Sequence, residues 1–142
     1  MKRLLINFAG QVFILLTRAL IEMVGIVLVA GEGKGTWGEV FKILDSEPWT
    51  CAYVITAPFF EQKFREKYSG KAPLTILSLE ESKPLSTMVQ DLANAFKTLT
   101  DDVALNLISG SGKQHMAVLA GLLKAGVGIR LVTVNENGIT EI

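Results

Sequence analysis

The stretch VALNLISGSGKQHMAVLAGLLKAGVGIRLV, residues 103–132, decides the fold. It opens with an apolar run at 103–109, turns through glycine and serine, and continues at 113–126 with apolar residues at helical spacing. A second apolar run begins at 129. This change of period predicts a strand, a helix and another strand. Continuously apolar strands joined by a helix are typical of a buried parallel sheet.

The same alternation extends over the rest of the chain. Apolar runs predict further strands at 3–9, 25–31, 50–57 and 73–80, with helices at about 11–24, after 38, at 59–68 and at 84–99. An Asn-Gly turn predicts a closing hairpin over 129–142. We therefore predict a single Rossmann-like α/β domain over residues 1–142, with a mostly parallel sheet, helices on both faces and a C-terminal β-hairpin. The expected buried residues of the 59–68 helix are Phe59, Phe60, Phe64 and Tyr68.

Composition excludes several classes of protein. Of the 142 residues, 49% are hydrophobic and 20% are charged, which is typical of a folded domain. Basic and acidic residues number 14 each, so we expect no direct binding of duplex nucleic acid through a broad basic surface. With Cys51 and His115 as the sole cysteine and histidine, we expect no disulfide, no metal, no cofactor and a cytoplasmic location. A net charge of zero also favours self-association.

One segment has the length and apolar character of a membrane span, at residues 11–30. Arg18 and Glu22 lie in its middle, and a charge at a bilayer centre costs about 2.5–3.5 kcal/mol on insertion scales. Gly25 divides the segment into a helix and a strand. We therefore predict no membrane association.

The loops that follow the strands are the candidate ligand-binding positions, because they meet at the carboxyl edge of a parallel sheet. These loops are 9–11, 31–38, 57–60, 79–82 and 109–115. In the last loop, Ser109, Gly110, Ser111 and Gly112 offer backbone amides at a helix N-terminus, and Lys113 adds a positive charge. Leu107 and Gln114 occupy the first-glycine and hydroxyl positions of a Walker A motif, which excludes that motif. The loop is either an anion site or a tight turn whose serines cap the helix.

The loop GEGKGTWG, 31–38, is also rich in glycine, but its spacing is not that of a dinucleotide-binding turn. It is either a lid with Lys34 and Trp37 as phosphate and base contacts, or a surface loop with Trp37 in the core. His115, in the first turn of the helix after Lys113, is either a general acid or base or a residue of the helix surface.

The C-terminal third resembles the CRISPR-associated Rossmann fold (CARF) domains. Those carry a turn of the type Asn/Asp-x-Thr-Gly-Gly-Thr-Lys before a helix that often has a methionine soon after the lysine. The comparable residues here are Asn106, Ser109, Gly110, Ser111, Lys113 and Met116. Asn106 stands one residue further from Ser109 than in that pattern, and Gly112 replaces the second hydroxyl residue. Gly10 and Gln11, in the first loop, stand in the place of that family's other ligand-contacting motif.

The resemblance implies a homodimer that binds a cyclic oligoadenylate second messenger in its cleft, as a nucleotide-binding sensor in CRISPR-type antiviral defence. It implies either a sensor alone or a metal-independent ring nuclease, in which a ribose 2′-hydroxyl attacks the adjacent phosphate. Lys113 and His115 would then be the catalytic residues. Two other classes of function stay open. One is a Rossmann-like enzyme acting on another phosphorylated or nucleotide small molecule, and the other is a structural or partner module that binds no ligand and whose turns are only caps.

Overall fold

The computed structural model describes residues 25–32 and 36–142. The strand predicted at 3–9, the helix predicted at 11–24, and the candidate residues Gly10, Gln11 and Lys34 lie outside the described residues. Within the described ranges, no helix is long and apolar enough to cross a membrane.

Strands and helices alternate along the described chain. The strands are β1 (Gly25–Ala30), β2 (Ala52–Thr56), β3 (Leu74–Ser78), β4 (Val103–Asn106), β5 (Ile129–Asn135) and β6 (Gly138–Glu141). The helices are α1 (Thr36–Ser46), α2 (Pro58–Lys67), α3 (Leu85–Ala95) and α4 (Gly112–Lys124). A 3₁₀ turn, Phe96–Thr98, follows α3. Just after α4, Gly126 has a φ of 77°, a conformation that glycine adopts at low cost.

The six strands form one sheet in the order β3-β2-β1-β4-β5-β6. Pairing is parallel from β3 through β5, and β6 pairs antiparallel with β5. The predicted fold class is therefore confirmed. In chain order, β2 and β3 are added on one side of β1, and β4 then pairs with the other side of β1. Such a reversal opens a crevice at the carboxyl ends of the two central strands, where sheets of this type bind ligands.

Two hydrophobic clusters hold helices against the two faces of the sheet. All six residues of β1 are buried, and alternate side chains enter opposite clusters. Ile26 and Leu28 pack with residues of α1 and α2, whereas Val27 and Val29 pack with residues of α3 and α4. This arrangement explains why the sequence of β1 is continuously apolar.

Two details differ from the expectations. The strand predicted to run to Ser109 ends at Asn106, because the Asn106 side chain takes over the hydrogen bonding: its amide donates to the Val132 carbonyl at 2.8 Å, and its oxygen accepts from the Ile108 amide at 2.9 Å. Phe59, expected in the core, is 85% exposed, so that prediction is wrong. Phe64 is fully buried as predicted.

Candidate functional site at the carboxyl ends of β1 and β4

The loops after β1 and β4 meet at the point where the strand order reverses. Ser109 joins them: its hydroxyl oxygen accepts a hydrogen bond from the Gly31 amide at 2.9 Å and shares one with the Thr36 hydroxyl at 2.6 Å. Its side chain is almost completely buried. Ser109 therefore ties the two loops and the start of α1 together, and its hydroxyl is occupied by these bonds.

Two glycines allow the loops to touch. A Cβ atom on Gly31 would lie 2.5 Å from the Gly110 Cα and 2.7 Å from the Gly110 nitrogen, closer than atoms can approach. Gly110 has a φ of 107°, which favours glycine. The glycines that the sequence analysis noted in two separate loops thus act as one close backbone contact.

Helix α4 begins at this contact with a complete capping box. The Ser111 hydroxyl accepts from the Gln114 amide at 3.1 Å, and the Gln114 side chain accepts from the Ser111 amide at 2.9 Å. Within residues 25–32 and 36–142, no acceptor pairs with the amides of Gly112 and Lys113. Unpaired amides at a helix N-terminus attract anions. The turn is therefore a helix cap, one of the two predicted alternatives, and an anion site at its free amides stays a prediction.

Lys113 is bound to the loop that follows β3. Its ammonium donates to the Glu81 carbonyl at 2.5 Å and to the Lys83 carbonyl at 2.8 Å. The Ser111 hydroxyl donates to the Glu81 carboxylate at 2.6 Å. An anion at the α4 N-terminus would therefore meet the Lys113 charge, but would also compete with two carbonyls and approach the Glu81 carboxylate.

His115 contacts the same turn from the first turn of α4. Its Nε2 lies 2.8 Å from the Ser109 carbonyl oxygen. Because a carbonyl oxygen only accepts, Nε2 carries the proton in this arrangement and Nδ1 is the nitrogen left to exchange one. A catalytic role for His115 stays a prediction.

Carboxylates line an open groove next to the turn at residues 109–115, which we call the Lys113 loop. Its volume is about 580 Å³, and its lining includes Glu32, Phe59, Glu80 and Glu81. These carboxylates can accept hydrogen bonds from ribose hydroxyls or base amino groups. In the described part of the chain, no group of three histidine, cysteine, aspartate or glutamate side chains is placed to hold a metal ion.

The structure thus places residues 109–113 and His115 together at one edge of the sheet. Sequence reasoning did not assign Gly31, Thr36 and Glu81 to this site, although it named the loops 31–38 and 79–82 that contain them. The signal that would have found Gly31 is the strand order, which places the loop after β1 beside the loop after β4.

Comparison with models of known protein families gives no match for this sequence, and comparison with curated proteins gives none either.

Proposed function

We propose that this chain is a CARF-like sensor domain that binds a cyclic oligoadenylate in a cleft between two copies, in CRISPR-type antiviral defence. The observation that carries the proposal is the contact between Gly31 and Gly110 at the strand-order reversal, next to the unpaired amides of Gly112 and Lys113. Those amides and the lysine suit a phosphate, and the carboxylate-lined groove beside them suits ribose hydroxyls.

Binding of a phosphate at this turn would rearrange the contacts of Lys113. The ammonium now holds the carbonyls of Glu81 and Lys83. A phosphate oxygen is a stronger acceptor for an ammonium than a carbonyl oxygen, because that hydrogen bond joins two charges. We therefore expect ligand binding to shift Lys113 toward the phosphate and to loosen the loop after β3.

An exposed apolar surface supports the proposed pairing of two copies. On α4, Met116, Leu119 and Leu123 are 61%, 39% and 63% exposed, and they follow one another at helical spacing. Leu131 and Ile142 of the C-terminal hairpin are 45% and 78% exposed. We call these five residues the α4–hairpin patch.

The patch belongs to one side of the molecule. Ile129 packs in the cluster with α3 and α4, and Leu131, two residues further along β5, points to the same side of the sheet. The Ile142 amide donates to the Leu131 carbonyl at 2.9 Å, which keeps the end of the chain beside that residue. A second copy is the proposed occupant, because Met116 lies three residues after Lys113. Two-fold pairing over the patch would bring both Lys113 loops near one ligand ring.

If the ring is cleaved, the chemistry needs positioning and charge rather than a metal. The ribose 2′-hydroxyl attacks the adjacent phosphorus, the P–O bond to the 5′-oxygen breaks, and a 2′,3′-cyclic phosphate forms. Lys113 would stabilise the developing negative charge, and His115 would carry a proton through Nδ1.

The test is isothermal titration calorimetry with cyclic tetra-adenylate and cyclic hexa-adenylate. We expect saturable binding at one ring per two chains, at least tenfold weaker in Lys113→Ala and unchanged in Lys97→Ala, whose lysine is exposed beyond α3. Chromatography of the incubated mixture detects linear product and so separates a sensor from a ring nuclease. Absence of binding by either ring would contradict the proposal. Binding of another phosphorylated molecule at one per chain would favour the enzyme alternative.

A further inference from the structure

An aromatic cavity lies between α1 and α2, on the sheet face opposite α4. Its volume is about 430 Å³, within the size range of small-molecule sites, and its walls include Trp37, Phe41 and Phe60. The Trp37 ring meets Phe60 edge to face at 6.1 Å between centroids and packs on the buried Phe64 at 5.3 Å. The indole nitrogen donates to the Gly31 carbonyl at 2.6 Å. The rings are therefore held in place before any ligand enters.

The rim of this cavity carries charges of both signs. Lys63 and Lys67 stand one helical turn apart on α2, and both are exposed. Within the described part of the chain, neither ammonium forms an ion pair or a side-chain hydrogen bond. Glu32 adds a carboxylate at the end nearest the sheet. Two unpaired cations beside aromatic walls suit a planar group that carries an anion.

We propose that this cavity binds a ribonucleoside monophosphate, one per chain. The base packs against Trp37 and Phe60, the phosphate contacts Lys63 and Lys67, and the Glu32 carboxylate accepts hydrogen bonds from the ribose. Stacking of the base on an aromatic ring supplies one attraction, and each lysine adds another that salt weakens. This site differs from the Lys113 loop and does not depend on a second copy or on the proposed ring ligand.

Gly38, in the first turn of α1, offers a way to fill the cavity without disturbing the fold. It lines the cavity, and a Cβ atom at this position would meet no atom within 4 Å. Gly38→Ala therefore adds one small group in open space, whereas Gly38→Leu takes up part of the space that the base needs. The pair forms a graded series at one position.

Tryptophan fluorescence reports directly on the site. The protein has two tryptophans, and Trp49 is only 3% exposed, so a base that packs on Trp37 quenches one emitter and leaves the other. Titration with AMP, GMP, CMP and UMP should give saturable quenching, with one ligand per chain by calorimetry. In Trp37→Phe the quenching should disappear while a calorimetric signal persists. Adenosine and inorganic phosphate are the separate arms that test the base and the anion.

The variants decide the outcome. We expect Lys63→Glu with Lys67→Glu to weaken AMP binding at least tenfold and Lys97→Glu to leave it unchanged. Gly38→Leu should abolish AMP binding, and Gly38→Ala, which adds one methyl group, should weaken it far less. Equal affinity for adenosine and AMP would overturn the assignment of the phosphate to the lysines. No binding of any of the four nucleotides, or binding that Gly38→Leu leaves unchanged, would overturn the site itself. If Gly38→Leu still binds the cyclic oligoadenylate and Lys113→Ala does not, the AMP cavity and the proposed ring site are distinct, and each can be tested without the other.

Discussion

At the scale of single residues, the contact between Gly31 and Gly110 leaves no room for a side chain on Gly31. A methyl group on Gly31 would overlap the Gly110 backbone, so the two loops would have to move apart. That movement would strain the hydrogen bond from the Gly31 amide to Ser109. We expect Gly31→Ala to lower the free energy of unfolding by about 1–3 kcal/mol, the range for overpacked sites. Equilibrium denaturation in urea measures the effect.

The matched control is Gly112→Ala, in the turn that contains Gly110. A Cβ atom at Gly112 would meet nothing within 4 Å, so the free energy of unfolding should change by no more than about 0.5 kcal/mol. Equal effects of the two substitutions on the free energy of unfolding would show that the close approach of the two loops does not restrict the side chain at Gly31.

Cys51 gives a residue-scale prediction about pH. Burial raises the pKa of its thiol, and a hydrogen bond with Thr50 opposes that effect in part. Because the thiolate is the reactive form, the folded protein should react with iodoacetamide at pH 8 more slowly than the urea-unfolded chain. The raised pKa also means that the folded state holds the proton more tightly, so stability should fall as pH rises above the ordinary range of a thiol. Equal reaction rates for the folded and unfolded chains would contradict this account.

At the scale of elements, the helices and strands were predictable because the apolar residues of each segment follow either a strand pattern or a helix pattern along its length. Their ends were less so, because they depend on contacts across the sheet. β4 stops at Asn106 since the side chain of that residue bonds to Val132, 26 residues further along the chain. Phe59 is exposed because α2 turns Phe64 inward, and residues five positions apart do not share a helix face.

The loop between β3 and α3 depends on α4 for its position. Lys113 holds two of its carbonyls, so Lys113→Met, which keeps an apolar stem but no ammonium, should release it. We expect the amide hydrogen of Lys83, which now bonds to the Glu80 carbonyl at 3.2 Å, to exchange with solvent several-fold faster in the variant. Hydrogen exchange read by mass spectrometry measures this rate.

The comparison variant for that experiment is Lys97→Met, which removes an exposed lysine from the 3₁₀ turn after α3. Exchange should be unchanged there, and amides in β1 should be unaffected in both variants. Unchanged exchange at Lys83 in Lys113→Met would show that the turn after β3 keeps its position without the ammonium.

At the scale of the whole molecule, the candidate site was only half predictable. The turn at 109–115 has a local signature, a strand followed by glycines, serines and a capped helix, so the sequence alone identified it. No local signature shows that Gly31 lies beside this turn, because the order of strands in the sheet decides which loops are adjacent. The contribution of Gly10 and Gln11, which lie outside the described residues, stays a prediction.

The proposed dimer leads to the last prediction. Leu123 is 63% exposed on α4, and its substitution by Asp places a charge in the middle of the α4–hairpin patch without removing a core contact. If two copies pair through this patch, Leu123→Asp should convert a dimer to a monomer, because a buried and unpaired charge at an interface costs several kcal/mol. Light scattering coupled to size-exclusion chromatography measures the mass.

The control is Lys97→Asp, which places the same carboxylate at an exposed position just beyond α3, outside the patch. It should leave the dimer intact. The two variants also connect association to ligand binding: since the ring needs both Lys113 loops, Leu123→Asp should weaken binding of the cyclic ring at least tenfold while AMP binding in the Trp37 cavity is retained. A monomeric wild-type protein, or a Leu123→Asp dimer, would contradict pairing through this surface. Ring binding by a monomer would show that one loop is sufficient for recognition.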